Sequence, residues 1–288
     1  MSIQSRRLQC IQTQTGQLLF DGRFVTPGTY TAPSTGSGTP PSPWASAEYV
    51  GVPNSAITVY DPAAKPISWW PGADPLWGGY LAAFTAYADG AQSTARAQAH
   101  SGPLLGNGDE VYFAWKLYVP SAQGDHWPVV GADGDWNIVC QLHSPPYSSS
   151  PGMAVSVKHY NGQLCLYGEN GSGYPTWYAP ITFDRWITVT QHLVVHTIGG
   201  QGLLEVWVDG VKQQQNLPVS WWNYDTTGQW ISTDGTTAHI ATEVKDTSGP
   251  GDLYLNMYRK GAGSNWGLGS VSVFHMGMKI GTSYNVVQ

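Results

Sequence analysis

Two polar residues inside an apolar run, Gln141 and His143 in Trp136–His143 (WNIVCQLH), have the types and spacing to do proton chemistry. Extended backbone puts residues i and i+2 on one face, so an imidazole titrating near working pH stands beside a carboxamide able to donate to an anion. His192 and His196 are four apart, which would face a metal together on a helix and also share a face in a strand, but no third ligand is evident. Asp133 and Asp135 in GADGDW could chelate a structural calcium through oxygens; the pattern lacks the other acids of a calcium loop, and a turn is expected, with no cofactor. Trp69, Trp70, Trp77, Trp221 and Trp222 could stack on sugar rings, against the plainer expectation that tryptophans pack the core.

The elements that must carry these groups read as strands. Runs rich in Val, Ile, Tyr, Trp and Leu recur between Gly, Pro and Asn from Val111 onward: 111–119, 136–142, 153–159, 163–168, 186–196, 203–208, 253–258 and 270–278. Asn161-Gly162 and Asp209-Gly210 are hairpin turns, because both positions tolerate positive φ. Earlier, 18–24 and 57–60 are strand candidates, and 79–87 fits a strand or a short helix. The stretch 29–43 is dominated by Pro, Gly, Ser and Thr and is expected to be a loop. The pattern predicts one antiparallel all-β jelly-roll sandwich over 17–288, with a sugar cleft on its concave face and residues 1–16 as an N-terminal arm.

Composition narrows the partners. The 288 residues carry 35 Gly, 14 Trp and 16 Tyr but only 11% charged residues and a net charge of −6, which leaves no basic stripe for nucleic acid and too few cations for a heavily sulphated glycan. No apolar run approaches the roughly 18 residues that span a bilayer, so a soluble domain without membrane insertion is expected. Met1–Gln17 does not read as a secretory signal. Cys10, Cys140 and Cys165 lack metal-type spacing and are expected as buried apolar residues; a Cys140–Cys165 bridge requires neighbouring strands.

Gly108–Pro120 (GDEVYFAWKLYVP) and Trp136–His143 resemble the heparin lyase I family and the related glucuronan lyases, of concanavalin A-like fold. The order of segments matches as well: Phe20-Asp21-Gly22 resembles the opening strand, Ala95–Gln98 an Arg-x-Glu strand, Leu204–Gly210 a late hairpin, and Asp252–Arg259 (DLYLNMYR) the segment with the catalytic tyrosine. The resemblance implies β-elimination beside a uronic acid. His143 would take the C5 proton, Gln141 would bind the carboxylate, and Tyr258 would protonate the leaving O4 if a positive charge lowers its pKa from about 10. Alternation points Arg259 away from Tyr258, which makes Arg96 the better neighbour. Gln98, Tyr254, Arg259, Lys260 and Trp136 fall at the sugar. Gln98 replaces the family's usual acid, and Tyr254 stands where heparin-cleaving relatives tend to have a lysine; an unsulphated uronate polymer suits the site better than heparin.

Catalysis on this plan requires Gln141, His143 and Tyr258 to converge on one sugar-sized site. The alternative is a non-catalytic glycan-binding protein of the same fold, such as a bacteriophage minor tail protein docked on a virion through its arm, so that an extracellular or virion-associated place is expected. A hydrolase would need two close carboxylates, typically as Glu-x-Asp-x-x-Glu, and no such run exists; Glu205 and Asp209 are expected as hairpin residues.

Overall fold

The computed structural model describes residues 16–32, 34–51, 54–74, 76–88, 90, 93–106, 108–127, 137–143, 153–170, 175–194, 203–213, 222–224, 229–233, 238–240, 251–260 and 269–288. In chain order the strands are β1 (Leu18–Asp21), β2 (Gly28–Tyr30), β3 (Gly36–Gly38), β4 (Ser46–Val50), β5 (Ala56–Tyr60), β6 (Leu81–Ala88), β7 (Thr94–Leu105), β8 (Glu110–Tyr118), β9 (Asn137–His143) and β10 (Met153–Tyr160). They continue as β11 (Gln163–Asn170), β12 (Pro175–Pro180), β13 (Trp186–Val194), β14 (Leu203–Val208), β15 (Val211–Lys212), β16 (Trp222–Tyr224), β17 (Gln229–Thr233), β18 (Ala238–Ile240), β19 (Gly251–Lys260) and β20 (Gly269–Gly281). A short helix, α1 (Tyr284–Val287), follows.

Two antiparallel sheets make a jelly-roll sandwich. One runs β16-β17-β18-β14-β13-β8-β20-β6-β5-β2, with β1 on β20 and β15 on β14; the other runs β12-β11-β10-β9-β19-β7-β4-β3. Alternation builds the core between them. β8 turns Val111, Phe113, Trp115 and Leu117 inward, β7 turns Ala95, Ala97 and Ala99, and β19 turns Leu253, Leu255 and Met257. The residues between, Arg96, Gln98 and His100 on β7 and Tyr254, Asn256 and Tyr258 on β19, line the face turned away from the core. Gly168 is needed opposite Trp177, since a Cβ there would lie 2.1 Å from Trp177 Nε1.

Asn161 and Gly162 (φ 50° and 76°) turn β10 into β11, and Asp209 and Gly210 (φ 50° and 77°) turn β14 into β15, as their sequences predict. The ambiguous stretch 79–87 resolves as a strand, β6. The Pro/Gly/Ser/Thr-rich stretch is not all loop. It holds β2 and β3, and β3 has no hydrophobic period because it is Gly-Ser-Gly; Gly38 lets Tyr49 of the paired β4 lie against the backbone, with a Cβ excluded at 2.7 Å from the ring. Cys140 and Cys165 are free and buried. β10 separates their strands, and Cys140 faces the core while Cys165 alternates with the core residues Leu164 and Leu166, so no bridge can form.

A segment between β5 and β6 folds over the outer face of the larger sheet and makes a second small core of Tyr60, Trp70, Trp77, Leu81, Ala83, Ala114, Phe274 and Met276. Trp70 and Trp77 are therefore packing residues, Trp77 donating to the Met276 carbonyl at 3.2 Å, whereas Trp69 keeps 37% of its surface exposed.

Candidate functional site

The strand β19 runs through the middle of the smaller sheet, between β7 and β9, and its outward side chains define a row. Tyr254 pairs with His100 on one side and Gln141 on the other; Asn256 pairs with Gln98; Tyr258 pairs with Arg96; and Asp252 pairs with His143. The Tyr254 phenol lies between two imidazoles. His100 stacks on it at 3.8 Å between ring centroids and 6° between planes, and His143 lies at 5.7 Å and 12°.

This is a polar site buried by its surroundings. Gln98, Gln141 and Asn256 are buried, as are Tyr254 and His143. Burial pushes the His100 imidazole down to about 4, helped by the neighbouring His143 and Arg96, so His100 is neutral at ordinary pH. Among the described residues, Gln141 Oε1, both polar atoms of the Asn256 carboxamide and His100 Nε2 make no hydrogen bond. Buried amides left this way are costly unless something polar arrives to meet them. Next to Gln141 across Ala154, β10 contributes Ser156 and Lys158, and both bind Glu169 of β11: Ser156 Oγ donates at 2.6 Å and Lys158 Nζ at 3.0 Å.

Gln141 and His143 therefore lie together, but with Tyr254 and not with Tyr258. Tyr258 is six residues along β19 from the partner of His143, about 20 Å at roughly 3.3 Å per residue. Arg96 is the neighbour of Tyr258, as alternation predicts, with its guanidinium carbon 5.3 Å from the ring centroid. Arg259 is turned to the other face of β19, 1% exposed, where burial lowers its pKa to about 10. The carboxylate that Gln98 does not supply comes from Glu48 of β4, which pairs with Arg96. Trp136, Asp133, Asp135, His196, Trp221 and residues 1–15, and the side chains of Lys260 and Trp222, lie outside the described residues.

Sequence reasoning passed over His100, Asn256 and Glu48. The signal for the first two was present: Arg-Ala-Gln-Ala-His and Tyr-Leu-Asn-Met-Tyr each alternate apolar with polar, which marks one polar face. His192, considered for a metal, is instead held by Glu205 at 2.7 Å and Glu110 at 2.8 Å and stacked on Tyr112. Among the described residues no group of three or more His, Cys, Asp or Glu could hold a metal ion. Asp209 behaves as a hairpin residue, accepting from Thr188 N at 2.8 Å.

No curated protein matches the sequence. Among solved structures, the alginate lyase Aly36B is similar over 69% of this chain and 80% of its own, at 9% identity and a TM-score of 0.45. The catalytic domain of a glycoside hydrolase family 131 protein from Coprinopsis cinerea is similar over 92% of this chain and 94% of its own, at 12% identity and 0.45. The alginate lyase vAL-1 from Chlorella virus is similar over 70% and 84%, at 12% and 0.39. The polysaccharide lyase family matches residues 77–227, just over half of the chain and including β7, β9, β10 and β11 of the polar face. By that match the chain belongs to the polysaccharide lyase family, whose members degrade polysaccharides.

Proposed function

We propose that the chain cleaves a uronic-acid-containing, unsulphated polysaccharide by β-elimination at the site around Tyr254. The observation that carries this is the Tyr254 phenol set between His143 and His100 with Gln141 directly across the strand. The C6 carboxylate is received by the carboxamide N–H groups of Gln141 and Asn256, of which Asn256 Nδ2 makes no other hydrogen bond among the described residues. His143 takes the C5 proton, the electron pair forms the C4–C5 double bond, the C4–O4 bond breaks, and Tyr254 gives its proton to O4.

Tyr254 thus does what the resemblance assigns to Tyr258, and Tyr258 with Arg96 and Glu48 binds sugar further along the row. A neutral His100 supports this division, because it can hydrogen-bond without competing for the substrate carboxylate as a second cation. Heparin remains disfavoured, since the site offers carboxamides and neutral rings rather than clustered cations. A polymer of this kind is met outside the cell, which is where the protein would act. The non-catalytic tail-protein alternative draws no support from the family match.

The test is the ultraviolet absorbance of unsaturated uronate, with the protein and its His143→Ala variant on glucuronan, alginate, hyaluronan and heparin. A rise on one carboxylated polymer, abolished by the substitution, is expected. No rise on any of the four overturns the proposal.

A further inference from the structure

On the far side of the molecule from Tyr254, beyond the core and the larger sheet, lies a depression of about 420 Å³ lined by Lys65, Trp69, Tyr118, Asp184, Arg185 and Trp186, together with Trp70 and residues 71–73. That volume lies in the range of small-ligand sites, large enough for a short stretch of glycan. Four aromatic rings line it beside polar and charged groups. Trp69 meets Trp70 and Phe274 in T-shaped contacts at 6.3 and 5.9 Å and keeps 37% of its surface exposed, and Trp186 and Tyr118 pack against each other at 5.5 Å.

The aromatic groups are held rigidly. Trp186 Nε1 donates to the Gly72 carbonyl at 2.8 Å, and the Tyr60 hydroxyl donates to the Pro71 carbonyl at 3.1 Å, so the covering segment and the sheet share the wall. Asp184 turns the chain at φ 59° and is fixed there by Ser121, whose N–H and hydroxyl both donate to it, and by the Tyr118 hydroxyl. This turn presents Arg185, which is 45% exposed at the side chain although paired with Asp209. Lys65 is exposed and makes no ion pair among the described residues. Three half-open aromatic rings thus stand beside Lys65, whose charge is not spent in an ion pair among the described residues, while Arg185 is balanced by Asp209 and Asp184 is bonded to Ser121 and Tyr118.

Flat aromatic faces stack on the C–H surfaces of sugar rings, and the Lys65 ammonium matches a carboxylate on the same sugar. We infer that this depression is a second, non-catalytic binding site for a segment of the same carboxylated polysaccharide. It rests on the proposal that the substrate is a uronate polymer. It would tether one part of a long chain while another part occupies the site around Tyr254, an effective-concentration gain that short oligosaccharides, unable to span both faces, cannot have.

The experiment is native electrophoresis of the full chain through gels containing glucuronan, alginate or hyaluronan, comparing the protein with Trp69→Ala and with Lys65→Glu, alongside KM for the polymer and for a tetrasaccharide cut from it. The expected result is retardation by a polymer that each variant weakens several-fold, a several-fold rise in KM on polymer, and unchanged kcat and unchanged KM on the tetrasaccharide. Retardation equal to that of the unaltered protein in both variants overturns the inference, as does a protein that no polymer retards. Lys65→Glu serves if Trp69→Ala does not fold, because Lys65 is exposed. Loss of cleavage on all polymers with retardation that still depends on Trp69 would sink the lyase proposal and leave this site standing.

Discussion

His275 sits behind the site in β20, fully buried, and its Nε2 meets the backbone carbonyl of Asn256 at 3.2 Å. Its ring lies edge-on to Phe84 at 4.9 Å and beside Trp115 at 5.8 Å. Burial lowers its pKa from 6.5 to about 4, the backbone hydrogen bonds offsetting only part of that. The folded pKa is depressed, so as pH falls through 6.5 the unfolded chain takes up a proton that the folded chain refuses until about pH 4. The stability is therefore whole above 6.5 and is lost progressively below it. At about 1.4 kcal/mol per unit the full effect is about 3 kcal/mol, of which about 2 kcal/mol is gone at pH 5. Urea unfolding at pH 7.5 and pH 5 for the protein and for His275→Gln reads this directly. The variant is less stable at pH 7.5, but its loss on acidification should be smaller by about 2 kcal/mol. An identical loss in both would refute the assignment of a neutral, buried His275.

Other substitutions probe the site and its frame. Asn256→Ala should lower kcat/KM on the cleaved polymer by about a hundredfold, as for loss of one donor to a developing anion, while leaving the unfolding midpoint nearly unchanged; steady-state kinetics and a melting curve check both. Lys158→Met removes the ammonium that faces the buried Glu169 carboxylate, and should cost roughly 3 to 5 kcal/mol in urea unfolding. Gly168→Ala drives a methyl into the Trp177 indole and should cost about 1 to 3 kcal/mol, seen as a lowered Tm.

Most of the longer strands from Val111 onward were legible because each is a run of β-formers, and Asn161-Gly162 and Asp209-Gly210 mark turns whose chemistry requires positive φ. β3 and β12 were not. Gly-Ser-Gly carries no pattern, and Pro175–Pro180 begins and ends in proline; both are edge strands, where a proline or a bare glycine costs the ladder least. Within the site, the pairing of Gln141 with His143 was legible from i, i+2 spacing alone. Which tyrosine they meet was not, because it depends on the register of β9 against β19, where a bulge lies between Leu255 and Tyr258 and nothing local in either strand fixes the offset. Glu48 was invisible for a related reason: it reaches Arg96 from a strand 48 residues away.

The most direct test is to compare Tyr254→Phe with Tyr258→Phe, following unsaturated-uronate formation on the polymer that the unaltered protein cleaves. Loss of a hydroxyl that donates the proton to O4 should lower kcat by about a hundredfold or more, whereas loss of one that only touches sugar should raise KM and spare kcat. Tyr254→Phe should therefore be nearly inactive with KM little changed, and Tyr258→Phe should retain most of its kcat. The reverse pattern, with Tyr254→Phe active and Tyr258→Phe dead, would contradict a site centred on Tyr254 between His100 and His143.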